Sequence, residues 1–252
     1  MSVLRTEKLD VAAGGQSLIA GLDWQVERGQ LWCILGQNGV GKTSLLHVLC
    51  GLLPPSAGQV LLDEKPLPAL AAEALALQRG FMSQQQIDVF SCTALATVLV
   101  GCTPYRIGRI WDSAEDQVAA EAALQRVGLT HKAQMDVLTL SAGERQRVAL
   151  AALLVQAPQL MLMDEPAAHQ DVAQQLAMMR MIRELCADHA VVSSCHDIDL
   201  AARFATHVLL LAEGRHWLGS VDDVLTVENL QQAFDCRFEQ QESGGVRSFI
   251  PY

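Results

Sequence analysis

The stretch Leu31-Trp32-Cys33-Ile34-Leu35-Gly36-Gln37-Asn38-Gly39-Val40-Gly41-Lys42-Thr43 decides the fold. Its first five residues are a continuous apolar run, as expected of a strand buried on both faces in a parallel sheet. The next eight fit G-x-x-x-x-G-K-[ST], a loop that cradles phosphate. Glycines let the backbone curl until several N–H groups point at one anion. A helix predicted over 42–50 adds its first N–H groups and the positive end of its dipole. Lys42 places a point charge on the β- and γ-phosphates. The Thr43 hydroxyl is a hard oxygen ligand for Mg²⁺. The bland alternative is a glycine turn that happens to join strand and helix, and here the strand–loop–helix context stands against it.

Working outward, Leu22, Trp24 and Val26 alternate with Asp23, Gln25 and Glu27, the period of a half-buried strand. Gly14-Gly15 before them marks a hairpin turn. Pro54-Pro55-Ser56-Ala57-Gly58 breaks the chain, and 59–62 reads as a strand. From about 93 to 156 the pattern is mostly helical, with breaks at 101–108 and around Gly128. Strands are predicted at 160–163, 190–194 and 208–212, and a helix at 171–186. Strands alternating with helices argue for a mainly parallel sheet covered on both faces. The helical block of about 85–156 reads as an inserted subdomain between a core made of about 1–84 and 157–252. The fold class is therefore α/β: a P-loop core, an N-terminal antiparallel β subdomain and an inserted α-helical subdomain.

Composition narrows the function classes. The formal net charge of −10 disfavours nucleic acid as a partner, since bulk electrostatics would repel a polyanion. Mean hydropathy is +0.21, high enough to prompt a search for membrane spans. The apolar stretches at 148–155 and 208–212 fall far short of the ~18–20 residues a bilayer requires. The opening Met1-Ser2-Val3-Leu4-Arg5-Thr6-Glu7-Lys8 lacks the apolar centre of a signal peptide. Seven scattered cysteines without C-x-x-C spacing read as reduced core thiols of a cytosolic protein.

Two further motifs carry chemistry. Leu160-Met161-Leu162-Met163-Asp164-Glu165-Pro166 is a buried strand ending in two acids. Adjacent acids there are costly unless a positive group faces them, which a nucleotide-bound metal supplies. Asp164 would hold Mg²⁺, and Glu165 would orient or deprotonate an attacking water. In Leu140-Ser141-Ala142-Gly143-Glu144-Arg145-Gln146-Arg147, Ser141 and Glu144 have the spacing of a capping box before an apolar helix. By itself that motif is only a well-capped helix.

Taken in order, these motifs resemble the ATP-binding subunits of ABC transporters over nearly the whole chain. The third motif is similar to the L-S-G-G-Q signature. The resemblance implies roles. Gln84 corresponds to the Q-loop glutamine, contacting Mg²⁺ and the attacking water. His196, in Ser194-Cys195-His196-Asp197, corresponds to the switch histidine on the γ-phosphate, and Asp171 to the D-loop aspartate at a dimer contact. The implied catalytic set is Glu165, His196, Gln84 and Lys42. The implied nucleotide-binding set is Gly36, Gln37, Asn38, Gly39, Val40, Gly41, Lys42, Thr43 and Ser44, with Ser141, Gly143 and Glu144 from the signature. The implied metal set is Thr43, Gln84 and Asp164. ATP and Mg²⁺ are the implied cofactors. The implied partners are a second copy of the chain in a head-to-tail ATP sandwich, a polytopic permease and, through it, a substrate-binding protein. The implied location is the cytoplasmic face of the inner membrane.

Three residues depart from that pattern. Ala142 stands where the family commonly has glycine, and would be strained if the position needs φ > 0. Gln170 replaces the usual D-loop leucine. No aromatic residue stands near Ala12-Ala13, where many relatives stack a tyrosine on adenine. The segments 98–105 and 224–252 resemble the ATPases of type II importers, which handle cobalamin, ferric siderophores and haem. Gln84-Gln85-Gln86 and 111–116 lean toward the cobalamin group. The apolar stripe Val89, Phe90, Leu95, Val98 and Leu99 is either a permease surface or subdomain core. Two alternatives stand beside the importer: a soluble ABC-type ATPase and an ATP-dependent switch. Ser141 follows Lys42 by only 99 positions, too few for the long coiled-coil insertion of the soluble repair or translation ATPases.

Overall fold

A computed structural model describes residues 2–84, 86, 90–106, 109, 111–168, 170–243 and 246–252. The chain opens with strands β1 (Ser2–Ala13) and β2 (Gln16–Glu27), paired antiparallel. Gly14 and Gly15 join them at φ 59° and 81°, a left-handed pair that suits the twist of a hairpin. Leu22, Trp24 and Val26 are buried while Asp23 and Gln25 are exposed, so the alternation read from sequence does set the buried face.

Strand β3 (Leu31–Leu35) is wholly buried and runs through the glycine loop into α1 (Lys42–Cys50). Gly51 ends α1 in the left-handed conformation, the common glycine stop. Strands β4 (Ala57–Leu62) and β5 (Lys65–Pro66) follow, then α2 (Ala72–Gln78) and β6 (Arg79–Met82). The sequence reading singled out neither α2 nor β6. The strand is four residues long and carries Gly80, which weakens its pattern.

In the helical block lie α3 (Ala94–Leu99), α4 (Ala114–Arg126) and α5 (Ala142–Gln156). The break expected at 101–108 begins where α3 ends at Leu99, and the chain has left helix by Arg106. In between it continues from α3 as a 3₁₀-helix, Val100–Tyr105. A Cβ at Gly101 would lie 2.1 Å from the Ala152 carbonyl oxygen, so this glycine marks a close approach to α5. Ser113 and Asp116 form a capping box on α4 that went unread.

The remainder alternates: β7 (Leu160–Met163), α6 (Val172–Leu185), β8 (Ala190–Ser194), α7 (Ile198–Phe204), β9 (His207–Ala212) and β10 (Arg215–Ser220). Helices α8 (Val221–Val224) and α9 (Val227–Phe234) and strands β11 (Phe238–Ser243) and β12 (Val246–Pro251) end it. The terminal hairpin was not foreseen. Phe238 and Phe249 are buried beneath it, and the Phe249 N–H donates to Asp199 at 2.9 Å, tying the tail to α7.

Among the described residues the main sheet runs β10-β9-β3-β8-β7-β6, parallel except for β10. A second, antiparallel sheet runs β2-β1-β4-β5. Alternate residues of the parallel strands serve two cores. Cys33, Leu35, Met161 and Met163 pack with the helices that follow, whereas Trp32, Ile34, Leu160 and Leu162 pack with α1 and the antiparallel sheet. Truncating one such leucine to Ala costs about 2–5 kcal/mol. No described helix is long and apolar enough to cross a membrane. Because β3, β7 and β8 are parallel neighbours, their carboxyl ends share one edge of the sheet, where open α/β folds bind ligands.

Candidate functional site

Four loops leave that edge, after β3, β6, β7 and β8. After β3, Gly36, Gly39 and Gly41 take φ of 144°, 81° and 112°, a backbone course closed to ordinary side chains. A Cβ at Gly36 would lie 2.5 Å from the Leu211 carbonyl oxygen. Gly41 is the N-cap of α1, and no side chain caps it. The first N–H groups of α1 thus lack a side-chain acceptor and suit an anion. Lys42 is buried and donates from Nζ to the carbonyls of Gly36 at 2.8 Å and Gln37 at 3.1 Å. Burial lowers its pKa, while Glu165 and Asp164 act to raise it.

After β7, Asp164 and Glu165 are both buried. Thr43 Oγ1 donates to Asp164 Oδ2 at 2.8 Å, so two of the three residues expected at the metal meet, while the third, Gln84, bonds Glu165. A hydroxyl and a carboxylate are hard oxygen donors, and Mg²⁺ sites on nucleotides use one or two such groups plus phosphate oxygens. Among the described residues no three His, Cys, Asp or Glu side chains cluster as a metal cage. Glu165 adopts φ 48°, a left-handed conformation that costs a non-glycine residue about 1–3 kcal/mol. Its carboxylate accepts from Gln84 Nε2 at 2.6 Å and contacts His196 Nε2. Residues 84, 165 and 196 are therefore brought together from three loops.

At the end of β8, Ser194 is buried between the acids. Its hydroxyl donates to Asp164 Oδ1 at 2.6 Å and accepts from the Glu165 N–H at 2.8 Å. The sequence reading missed Ser194. The available signal was Ser193-Ser194 ending an otherwise apolar strand. Burial pushes the thiol of adjacent Cys195 up to about 12, so it stays protonated beside His196.

These loops line a cavity of about 610 Å³ with Asn38, Gly39, Gly41, Lys42, Thr43 and Ser44 on one side and Gln84, Glu165 and His196 on the other. Ala168 and Gln175 also line it, and neither had been singled out. Gln37, Asn38, Gly39 and Val40 line an adjoining cavity of about 190 Å³ with Gln16, Ser17 and Leu18.

The signature residues do not line either cavity. Ser141 caps α5, accepting from the Glu144 N–H at 3.3 Å, and the Glu144 carboxylate accepts from the Ser141 N–H at 3.0 Å. Lys132 donates to Glu144 at 2.5 Å. The lysine first, then the capping bond, pull the Glu144 pKa down to about 2. Its carboxylate is thus committed within the chain. Ala142 opens α5 in helical backbone and is absent from the positive-φ residues, so the anticipated strain does not arise. Gln170 donates to the Gln146 side chain and to the Pro166 carbonyl at 3.3 Å, joining the loop after Glu165 to α5. Asp171 N-caps α6 through the Gln174 N–H at 2.9 Å. His169, Gln85 and Val89 lie outside the described residues. Of the apolar stripe, Val98 and Leu99 are core and Leu95 packs against it, whereas Phe90 is exposed. A groove of about 310 Å³ runs between β6 and the helical block, lined in part by Phe81, Met82, Val100, Val148 and Ala149.

A parallel sheet with a glycine loop, an uncapped helix start and paired acids at one edge defines a P-loop nucleotide-binding domain. The sequence profile of the ABC transporter family matches residues 19–168, and the chain belongs to that family. It is 36% identical over 234 residues to the cobalamin import ATP-binding protein BtuD of Halobacterium salinarum. That match covers 91% of this chain but only 58% of the relative's length. It is 37% identical over 239 residues to the hemin import ATP-binding protein HmuV of Pseudomonas aeruginosa, covering 92% of each. Its fold matches an inward-facing ABC transporter described as of metal-chelate type, with TM-score 0.89, 25% identity, and 100% and 98% of the two chains covered.

Proposed function

We propose that this chain is the ATP-hydrolysing subunit of an importer, powering uptake of cobalamin or an iron chelate such as haem or a siderophore through a membrane permease. The observation that carries the reading is the meeting of Gln84, Glu165 and His196 beside the Thr43–Asp164 pair. Import proteins for cobalamin and hemin among its relatives support the cargo class.

ATP would lay its phosphates along the glycine loop and the bare start of α1, with Lys42 turning from the loop carbonyls to the terminal phosphates. Thr43 and Asp164 would hold Mg²⁺, which when bound neutralises phosphate charge. Gln84 and His196 fix the Glu165 carboxylate, and Glu165 accepts the proton of the attacking water. The water oxygen bonds to the γ-phosphorus as the bond to the β-phosphate oxygen breaks. A second copy would present its α5 N-terminus, at Ser141 and Gly143, to complete the site. The two helix starts would then clamp the γ-phosphate from opposite sides. The permease would dock at the groove beside Val100 on the cytoplasmic face of the membrane, and a substrate-binding protein would deliver cargo to the permease.

The test is phosphate release from MgATP with and without the reconstituted permease, together with Glu165→Gln. The wild type should turn over faster with permease. The variant should lose activity on the order of a hundredfold or more yet elute as an ATP-bound dimer on size exclusion. Binding without turnover in the wild type would make the chain a switch. A monomeric variant would remove the sandwich. Uptake of labelled cobalamin, haem or ferric siderophore by the complex assigns the cargo.

A further inference from the structure

Ser194 is separated in sequence from both acids yet its hydroxyl hydrogen-bonds to each, donating to the carboxylate of Asp164 and accepting from the backbone N–H of Glu165. It ends β8 beside β7, in a register that pairs Met163 with Ser193. The residues just past β7 are Asp164 and Glu165, so the parallel pairing delivers the Ser194 hydroxyl between them. A hydroxyl has one proton and two lone pairs. Here the proton goes to Asp164 Oδ1 at 2.6 Å, and one lone pair receives the Glu165 N–H at 2.8 Å. The other Asp164 oxygen accepts from Thr43 at 2.8 Å. The carboxylate is thus gripped by one hydroxyl on each oxygen, which fixes its plane. The same Ser194 oxygen anchors the backbone of Glu165, whose φ of 48° places its side chain against Gln84 and His196. Serine at 1% exposure has no solvent to replace either bond.

We propose that Ser194 is the positioning residue of this centre: one buried hydroxyl sets the orientation of the metal-facing Asp164 and of the Glu165 backbone together. This rests on the ATPase reading above. Ser194 is not itself a catalytic residue, since it bonds the acids and does not line the large cavity. Its loss should therefore weaken metal binding and turnover while sparing the phosphate contacts of the glycine loop.

The experiment compares wild type, Ser194→Ala and Ser194→Cys. Cys keeps a polar atom at the position but is a weak hydrogen-bond donor. ADP affinity is measured in EDTA, and Mn²⁺ is titrated into separate EDTA-free samples of the ADP complex and followed by its electron spin resonance signal. Losing a hydrogen bond to a charged group should raise the half-saturating Mn²⁺ concentration on the order of tenfold in both variants, with metal-free ADP affinity unchanged. Both variants matching wild type in Mn²⁺ titration would overturn the proposal. So would a Cys variant like wild type beside a shifted Ala variant, since packing alone would then explain the effect. If Ala fails to fold, as shown by lost metal-free ADP binding, the Cys titration decides. Wild type binding no ADP at all would instead remove the ATPase reading itself.

Discussion

Two helix starts in this chain receive opposite treatment. Helix α1 begins at Gly41 with no side-chain cap, after a loop of left-handed glycines, and its N–H groups border the large cavity. Helix α5 begins at Ser141 with a full capping box, reinforced by Lys132 on Glu144. Both carry the same dipole. The first leaves donors open to a ligand or solvent, and the second satisfies its own with a side chain. In the proposed function, α5 is stable before a partner arrives, whereas the glycine loop before α1 stays open for its ligand. Within the chain the Glu144 carboxylate serves α5 through the Ser141 N–H and Lys132, and Ser141, Gly143 and Glu144 stay the signature positions proposed for the partner's nucleotide.

Giving α1 a cap should break the contrast most severely. Gly41→Asp places a carboxylate where phosphate would lie, at φ 112° and against Leu18, 3.0 Å from the added Cβ. ATP affinity should fall on the order of a hundredfold or more by calorimetry, because like charges repel and the backbone is strained. Unchanged affinity would remove α1 as the phosphate site.

Stripping the cap from α5 should act differently. Ser141→Ala should lower stability by about 1 kcal/mol, read as a fall in Tm, and reduce turnover, yet leave ATP binding to an isolated subunit intact. Lost binding in the monomer would mean that the two helix starts are not separate functions.

The smallest effect tests how Glu144 is held. Its pKa is lowered from 4.5 to about 2 in the folded chain. A depressed carboxylate stabilises the fold above its unfolded pKa, and that contribution is lost as pH falls through the folded value. Between pH 4.5 and 2, wild type should lose more Tm than Glu144→Gln does. Parallel Tm curves would show that the carboxylate contributes nothing beyond capping.

Much of this was legible because the signals are local. The strand β3, the glycine loop and α1 are contiguous, and glycine spacing, an apolar run and one lysine suffice to read them. The capping box on α5 spans four residues and appeared as foreseen. Other elements were invisible for physical reasons. Gly101 read as part of a break and Gly80 drew no reading, since nothing local says that α5 passes so close that a Cβ would strike it. Gln170 read as a departure from a pattern, and only packing reveals its bond to Gln146. The terminal hairpin depends on Phe238 and Phe249 finding a core far away in sequence.

The sequence by itself determined the α/β class, the phosphate loop, the paired acids and the order of the motifs, because each is written in residues only a few positions apart. The tertiary structure alone decided that Gln84 and His196 converge on Glu165, that Ser194 holds both acids, and that α5 stays outside the cavity. Those facts depend on which strands lie side by side. A parallel register carries Ser194 across a separation of 30 residues to Asp164, and the strand pairing that does so is set by the whole core.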